Sequence, residues 1–585
     1  FELIYEFLES YRWHLDETPS LENNEINPEI LGYILQQYVT GVEEGDEAGA
    51  FYTKNDITDY ITSKTLSFKL LKIIDPGGSI TKKLLADHPQ HYIESSFKIS
   101  ERESLDKDSE LLSGETPSLY ELRKYNYKFL KQQMDEENIN PEIILSSPIK
   151  IVKICHDAII ELKSEELNRV WEEISNLKVL DPTCGSGAFL FSAMQLLESI
   201  YLQIISQAKI LPETPKFYED ITVHKNLNYY VAKKIALENL FGVDLMQEGI
   251  DVANLRLYLA LVSRLNKLSE IEPMPILEFN IRRGNLLVGF TNLQELAQKN
   301  ETGSLAIYAD SKKILSLIEE INSDIEALNK GQLDTDIFSR EEEKQRSIRS
   351  KLSRLKGLTN TLYVDHVNSH LETQEFVETH VPFTWPAEFP QIFQEKGGFD
   401  VIIGNPPYVG KTKIKSYFFQ GGKTAKCPDI YATCTERAIR LLNDSGTIGF
   451  IVPMSLSWSK KYQSLRDYLT ENFKFNMYST FAKDPSALFN GSKGKIKIRN
   501  TVYIGNNDGN GLYATNHNVW RNDYRMFLFR NLQHYKSKGD LNGIWPKLGN
   551  PLAKKVLYDY SDSFKSRTIG YYLVKDSKNK LFYNS

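Results

Sequence analysis

The chain has 585 residues, 41% of them hydrophobic and 25% charged, with a formal net charge of −7. A chain of this length predicts two to four domains. It has no run of about 18 apolar residues, no secretory pattern, and four cysteines without zinc-finger or disulfide spacing. We therefore expect a cytoplasmic protein without a membrane span or a metal site. Because it opens on Phe1 rather than Met, we expect a part of a longer protein.

Charge is distributed unevenly along the chain. Residues 401–585 carry a net charge of +17, whereas the first 400 residues carry −24. A basic third joined to an acidic remainder predicts that a polyanion binds on the C-terminal side. Chance clustering of charge on a solvated surface is the alternative.

The first region of the chain, residues 1–165, is predicted to be mainly helical, with a ligand-binding segment at 49–62. Asn55 or Thr53 is expected to cap a helix there, and the free N–H groups at a helix start attract a carboxylate. Tyr52 and Thr53 are placed to contact that ligand. An ordinary capped helix without a ligand is the alternative.

A Gly-rich turn follows a short apolar strand that ends at Asp181. Gly185 and Gly187 permit a tight turn and close approach of a ligand, and an apolar helix begins at Ala188. This strand–turn–helix predicts the opening of a doubly wound α/β sheet. It lacks the dinucleotide G-x-G-x-x-G pattern and a phosphate-binding Lys, and therefore suits a nucleoside that carries an amino acid. A plain turn between strand and helix is the alternative.

Two later strands also end in polar residues. The strand at 239–244 ends at Asp244, which is predicted to bind both ribose hydroxyls, as acids at this position do in doubly wound sheets. The strand expected at 279–287 has Asn285 at its tip, where it could read an adenine edge. Strand ends exposed to solvent are the alternative.

Residues 296–380 show two helical stripes of apolar residues and are predicted to form a helical hairpin inserted into the sheet domain. The triplet Glu342-Glu343-Lys344 has the spacing of a nuclease motif. It lies on a charged helix face, so no nuclease is predicted from it.

The strongest motif follows the buried strand predicted at 399–404. Asn405 is held in extended geometry because Pro406 follows it, and Pro407 prevents the strand from continuing. The side-chain oxygen of Asn405 and the carbonyl of Pro406 are two acceptors for the protons of an exocyclic amine, and Tyr408 supplies a face for a flipped base. A structural turn is the alternative.

Together these motifs resemble the gamma class of DNA amino-methyltransferases, which use S-adenosylmethionine. The likeness is greatest to the large adenine-specific enzymes of type IIG restriction–modification and phage-exclusion systems. It rests on the order of three motifs, namely Phe51-Tyr52-Thr53, the turn from Asp181 to Gly187, and Asn405 to Tyr408.

The resemblance implies N6-adenine methylation of double-stranded DNA in host protection, with restriction or defence proteins as further partners. It implies an S-adenosylmethionine site lined by Tyr52, Thr53, Asp181, Thr183, Gly185, Gly187, Phe189, Asp244 and Asn285. It implies a catalytic set of Asn405, Pro406, Pro407 and Tyr408. It also implies a Rossmann-like methyltransferase core at 166–295 and 381–505, the helical insert at 296–380, and the start of a target-recognition domain at 506–585.

The chain departs from the family pattern at Lys54, where proline is usual, and in the 63 positions between Asp181 and Asp244, which require an insert. Three other functions remain open: methyl transfer to cytosine N4, transfer to RNA or to a protein glutamine, and a catalytically silent nucleic-acid-binding scaffold.

Overall fold

The computed structural model describes residues 12–13, 25–26, 53–94, 111–136, 139–270, 272, 274–292, 295, 305–333, 341–367, 369–414, 422–489, 498–537 and 544–547. The chain divides into two compact units. The first unit comprises Phe1–Gly77 and Cys155–Gly449, and the second comprises Gly78–Ile154 and Phe450–Ser585.

The described helices range from four residues to 29. Their bounds are α1 Asn55–Thr62, α2 Phe68–Ile74, α3 Ser79–Asp87, α4 Pro89–Tyr92, α5 Pro117–Asp135, α6 Pro141–Ser146, α7 Ile151–Ile160, α8 Ser164–Ser175, α9 Ala188–Ile210, α10 Lys216–Ile221, α11 Leu227–Glu238, α12 Gln247–Val262, α13 Leu305–Leu333, α14 Glu341–His366, α15 Thr373–His380, α16 Trp385–Glu388, α17 Pro390–Glu395, α18 Ile430–Arg440, α19 Ser455–Trp458, α20 Gln463–Asn472 and α21 Arg525–Leu528. A π-helical turn, Ser63–Ser67, joins α1 to α2.

The described strands are β1 Arg12–Trp13, β2 Glu25–Ile26, β3 Val179–Asp181, β4 Leu240–Asp244, β5 Ile281–Arg283, β6 Phe399–Gly404, β7 Leu442–Pro453, β8 Phe475–Phe481, β9 Asn500–Asn506, β10 Gly511–Asn518 and β11 Tyr535–Ser537. β1 and β2 form a separate two-stranded parallel pair.

The sheet of the first unit has the order β7-β6-β3-β4-β5. The pairs β6–β3, β3–β4 and β4–β5 are all parallel. Counted along the chain from β3, this is the order 3-2-1-4-5 of doubly wound α/β folds. The α/β, Rossmann-like sheet predicted from the sequence is therefore confirmed. The direction of winding reverses between β3 and β6, which is where such sheets bind ligands.

β6 lies between β7 and β3 and is buried along its whole length. All six of its residues are buried, as expected for a parallel strand covered on both faces. The Phe399 ring packs edge-on against Phe389, with ring centroids 5.9 Å apart. At the start of β6, the Asp400 carboxylate accepts hydrogen bonds from the Lys178 backbone N–H and the Asn443 amide, each 2.8 Å long. The strand is thus fixed at its amino end, and this fixes the position of the turn that follows it.

The helix α9 follows the Gly-rich turn in the first unit and has 23 residues. Among the helices that the structure describes, α9 is the one whose length and apolar composition would suffice to cross a membrane. Side chains along its whole length, including Leu190, Leu197 and Ile204, are fully buried inside the protein. These contacts are those of a core helix.

The two longest helices, α13 and α14, pack on each other. Their contact contains the apolar stripes that the sequence predicted, and it extends to Phe279 and Ala387. The buried stripe residues are Ile314, Leu317, Ile318, Ile321, Ile325 and Leu328 on α13 and Ile348, Leu352 and Leu355 on α14. Helical spacing of apolar residues therefore predicted this core correctly.

The second unit has the strand order β11-β10-β8-β9, and β7, whose last four residues belong to this unit, follows β9. β10 runs parallel to β8, whereas β9 is antiparallel to β8 and β11 is antiparallel to β10. The border that the sequence predicted for the recognition domain falls between β9 and β10.

Candidate active site

The Gly-rich turn after β3 adopts the conformation that its glycines permit. Gly185 and Gly187 have φ angles of +49° and +77°, in the left-handed region. The Cys184 N–H donates to the Val243 carbonyl at 2.9 Å, which ties the turn to β4. Among the described residues, a Cβ added to Gly185 would meet no atom within 4 Å, so none of them fills the space beside the turn. At Gly187 the added Cβ would lie 3.1 Å from Ala253, because α12 packs closely there.

Asp244, at the end of β4, is bonded directly to this turn. One carboxylate oxygen accepts the Gly185 N–H at 2.8 Å, and the other accepts the Met246 N–H at 2.9 Å. Burial raises the pKa of the Asp244 carboxyl, and these two hydrogen bonds oppose that rise. Each oxygen retains a lone pair, so the carboxylate can accept from a pair of hydroxyls.

Asp181, at the end of β3, is 1% exposed. Its carboxylate accepts the Thr183 N–H at 3.1 Å. Burial raises its pKa well above the usual range, and the nearby Asp244 raises it further. Two carboxylates therefore meet at the Gly-rich turn, and this pair favours a cationic ligand.

The Thr183 hydroxyl is buried at the same turn and makes no hydrogen bond within the described part of the chain. A buried hydroxyl without a partner is costly, and a polar ligand atom would satisfy it. This hydroxyl, the open space beside Gly185 and the two carboxylates fit a nucleoside that carries a cationic amino acid. The Phe189 side chain is only 2% exposed and lies in the core beneath the turn.

Asn405 is placed by a long-range hydrogen bond. Its side-chain nitrogen donates to the Thr53 hydroxyl at 3.1 Å, across 352 positions of the sequence. Because the amide nitrogen is held by Thr53, the amide oxygen of Asn405 is directed away from that residue. Thr53 is 5% exposed, so this bond is shielded from water. Pro406 is buried, whereas Pro407 and Tyr408 are partly exposed.

The segment that carries Thr53 is anchored to the sheet. α1 begins at Asn55 after Lys54, and no side chain caps it. The prediction that Asn55 or Thr53 caps this helix was therefore wrong, because the Thr53 hydroxyl bonds Asn405 instead. Asp59 of α1 accepts the Ser192 hydroxyl of α9 at 2.7 Å. Tyr52, also assigned to this site from the sequence, lies outside the described residues.

Both ends of the Asn285 side-chain amide form hydrogen bonds within the protein. Its amide nitrogen donates to the His380 carbonyl at 3.1 Å, and its amide oxygen accepts the Leu287 N–H at 3.0 Å. The residue is 5% exposed. Contact with an adenine edge stays a prediction for Asn285, whereas its observed contacts fix the loop after β5.

The parallel strands bring three of these residues to one edge of the sheet. β3, β4 and β6 are neighbours, and Asp181, Asp244 and Asn405 stand at or directly after their carboxyl ends. The gap between β3 and β6 is the point where the winding reverses, so the carboxylate pair and Asn405 flank the crevice expected there.

Two residues that support the turn were missed from the sequence. Arg256 of α12 is 2% exposed, donates to the Ser186 carbonyl at 3.0 Å and lies over the Phe191 ring. A Cβ on Gly249 would lie 3.3 Å from both the Asp244 carboxylate and the Gly185 carbonyl. A glycine shortly after a strand-end acid was a usable signal, whereas nothing local distinguished Arg256.

The strand order and the acidic Gly-rich turn define a Rossmann-like α/β fold with a ligand crevice. Two family matches place it in the class of methyltransferases that use S-adenosylmethionine. Residues 238–488 match the family described as Eco57I restriction-modification methylase, and residues 158–277 match the family described as MmeI, DNA-methyltransferase domain. The resemblance to large restriction–modification methylases and the S-adenosylmethionine cofactor, both predicted from the sequence, are confirmed.

Two curated relatives match over longer stretches. A provisionally named type II restriction enzyme and methyltransferase of Methanocaldococcus jannaschii is 24% identical over 80% of this chain and 37% of its own length. The adenine-specific methyltransferase BrxX of Escherichia coli is 22% identical over 58% of this chain and 26% of its own length. This chain thus spans little more than a third of the first relative and about a quarter of the second.

Among solved structures, an ATP-dependent type ISP restriction–modification enzyme, LlaBIII, bound to DNA, is 12% identical. The alignment covers 82% of this chain and 32% of that chain, with a TM-score of 0.34.

Proposed function

We propose that this chain is the methyltransferase portion of a DNA-modifying enzyme that transfers a methyl group to N6 of adenine. The observation that carries the proposal is the Asn405 amide, held by Thr53 at the end of β6, with the carboxylates of Asp181 and Asp244 on the neighbouring strands. S-adenosylmethionine, when bound, supplies an electrophilic methyl group.

The chemical task of the Asn405 turn is to make an aromatic amine nucleophilic. The lone pair of such an amine is delocalised into the ring, which makes it a poor nucleophile. The Asn405 side-chain oxygen and the Pro406 carbonyl would accept hydrogen bonds from the two N–H groups of the amine and draw its nitrogen toward tetrahedral geometry. Attack is then direct, with no covalent link to the protein, and positioning supplies most of the rate.

Tyr408 would hold the target base outside the duplex. Its ring is partly exposed next to Pro407, and a base turned out of its stack costs a few kcal/mol that stacking on an aromatic ring offsets in part. Thr183, Gly185, Gly187 and Asp244 would surround the cofactor, with Asp244 on the ribose hydroxyls.

Adenine is favoured over cytosine by the adenine-specific relative and by the motif order. Cytosine N4 is a chemically similar acceptor, and RNA or a protein glutamine could also present an amine to this turn. The net charge of +17 over residues 401–585 favours a nucleic acid over a protein substrate. A silent scaffold is disfavoured by the retained Asn405 and the intact Gly-rich turn.

The biological setting that we propose is protection of host DNA within a restriction–modification or phage-defence system, in the cytoplasm. Of the two curated relatives, one is described as a type II restriction enzyme and methyltransferase, and the other as an adenine-specific methyltransferase. Double-stranded DNA is the proposed partner, and restriction or defence proteins are further ones.

The test is transfer of labelled methyl from S-adenosylmethionine to DNA, tRNA and protein extract in parallel, with the DNA digested to nucleosides. Label in N6-methyladenine is the expected result. Label in N4-methylcytosine, tRNA or protein would replace the substrate proposed here. Cofactor binding without transfer to any of them would point to a truncated recognition domain or a missing partner, whereas failure to bind the cofactor would support the scaffold alternative.

A further inference from the structure

A cluster of basic and aromatic side chains lies at one edge of the second unit. It consists of Trp458, Arg499, His517 and Lys547, and we refer to it as the basic edge cluster. His517 pairs in register with Thr480 near the carboxyl end of β8. Arg499 directly precedes β9, whose first residue pairs with the last residue of β8. The cluster therefore stands at the carboxyl end of β8.

Backbone contacts bring the other two members to the same edge. The Met454 N–H, just after β7, donates to the Arg499 carbonyl at 2.8 Å, and Trp458 ends the short helix that follows. The Trp545 N–H donates to the Ser457 carbonyl at 2.8 Å. Lys547, two residues later, places its ammonium 4.2 Å from the centre of the Trp458 ring.

The members of the basic edge cluster differ in exposure. Trp458 is 38% exposed, and Arg499 is also exposed, whereas His517 and Lys547 are half-buried. The cluster is thus open to a large ligand while Lys547 is held rigidly. It is held because the adjacent Trp545 is 1% exposed and stacks on Tyr478 with ring centroids 5.0 Å apart.

Burial and neighbouring positive charges lower the pKa values of the two half-buried members, Lys547 and His517. Burial, and then the Arg499 charge, lower the pKa of Lys547 to about 8. Burial, and then the charges of Lys547 and Arg499, lower the pKa of His517 to about 4. The charges that perturb both groups are basic, so the Lys547 cation is destabilised by Arg499 and His517 is kept neutral. An anion bound between Arg499 and Lys547 would relieve this repulsion.

We propose that the basic edge cluster binds a phosphate of the DNA backbone, with Arg499 and Lys547 as its charged donors. The inference deepens the proposed function, because it rests on DNA as the substrate. A phosphodiester fits two cations, one of which lies over an aromatic ring. The net charge of +17 over residues 401–585 also favours a polyanion. Trp458 keeps the Lys547 ammonium in place through its ring face.

The test compares salt dependence of duplex DNA binding for the complete chain and three double variants. Arg499→Gln with Lys547→Gln removes both cations. Arg499→Lys with Lys547→Arg preserves both charges. Lys474→Gln with Lys536→Gln is the matched control, because both lysines are exposed and Lys474 directly precedes β8 at the opposite edge. Binding of a labelled duplex is measured across a range of salt concentrations.

The expected result is a smaller salt dependence in the first variant. Each lost phosphate contact lowers the slope of log affinity against log salt by about 0.9, and the cluster is proposed to bind one phosphate, so loss of both cations should lower the slope by about 0.9. The charge-preserving variant and the lysine control keep the slope of the original protein. S-adenosylmethionine binding and the melting temperature are measured on every variant, to show that each is folded.

Other outcomes are equally informative. An unchanged slope in the first variant overturns the phosphate contact while leaving the proposed function intact. An equal loss in the control variant shows diffuse charge rather than a site, and also overturns it. If the unaltered protein binds no DNA at all, the proposed function fails together with the inference. Arg499→Gln alone, at an exposed position, decides the matter if the double variant unfolds, with an expected decrease of the slope of up to about 0.9.

Discussion

Two strand edges of this protein have similar architecture and opposite charge. In the first unit, the carboxyl ends of β3 and β4 carry Asp181 and Asp244 beside a Gly-rich turn. In the second unit, the carboxyl end of β8 is surrounded by Arg499, Lys547 and a neutral imidazole. The comparison teaches that the carboxyl end of a strand is a place where side chains can converge, and that their charge decides which ligand fits. In the first unit the acids suit a cationic cofactor, and in the second unit the basic residues suit the proposed phosphate.

The largest expected effect is a loss of methyl transfer without a loss of cofactor binding, at the acidic edge that Asp181, Asp244 and Asn405 form. Asn405→Ala removes one of the two acceptors of the target amine, and we expect a loss of about 10²–10³-fold in methyl transfer, as for removal of one preorganised hydrogen-bonding group. S-adenosylmethionine affinity should stay near its original value. The measurement is single-turnover transfer, with Gln374→Ala on the exposed face of α15 as control. Normal transfer by Asn405→Ala would remove the proposed mechanism.

The next effect tests whether Asp244 organises the acidic edge. Asp244→Ala removes the acceptor for the Gly185 and Met246 N–H groups. It also removes the carboxylate that is proposed to bind the ribose. Because one hydrogen bond to a charged group contributes about 1.5–3 kcal/mol, we expect S-adenosylmethionine affinity to fall by about 10–100-fold. Calorimetric titration measures it. DNA affinity at fixed salt should not fall, and a parallel loss of both would contradict separate roles for the two edges.

A smaller effect is expected at Thr53. Thr53→Val keeps the shape of the side chain and removes the acceptor that holds Asn405, so we expect transfer to slow by about tenfold, the value of one hydrogen bond. Thr53→Ser should restore most of the rate. In an Asn405→Ala background, Thr53→Val should change transfer no further, because the amide that it positions is absent. Additive losses in this cycle would show that Thr53 acts elsewhere.

The smallest effect is a pH dependence of cofactor affinity. Burial raises the pKa of Asp181 and Asp244, so both carboxyls take up protons at a higher pH than ordinary aspartates. A cationic ligand favours their ionised form, and binding therefore releases protons. S-adenosylmethionine affinity should fall several-fold as pH falls through these raised pKa values. Titrations in buffers of different pH measure it, and a flat profile would contradict the carboxylate contacts.

The carboxyl of Asp181 also has a predictable effect on the free energy of unfolding. Because the pKa of Asp181 is raised in the folded state, its contribution is fully present below the unfolded pKa and is lost as pH rises through the folded pKa. Asp181→Asn should therefore raise the free energy of unfolding near neutral pH while it weakens cofactor binding. Denaturant titration at two pH values checks the sign. A stabilised variant with unaltered cofactor affinity would assign Asp181 to the fold alone.

The sequence predicted correctly those elements that depend on the pattern of neighbouring residues. The apolar run of β6 and the stripes of α13 and α14 follow from periodicity, and the turn after β3 follows from its glycines. Contacts between distant residues gave no such signal. The Thr53–Asn405 bond changed the expected start of α1, and the bonds of Asn285 shortened the predicted third strand to Ile281–Arg283. Likewise, the basic charge of the C-terminal third was visible, but the meeting of Arg499 and Lys547 was not.

The bond between Thr53 and Asn405 also bears on how the protein is made. Its two partners are 352 positions apart, so a ribosome that has released Thr53 must still synthesise the Gly-rich turn, β4 and the helical pair before Asn405 emerges. Once β4 has been made, and until Asn405 follows, the nascent chain can present the acidic turn but not the Asn405 acceptor for a target amine. The order of the motifs along the chain thus delays the completed site until translation has passed β6.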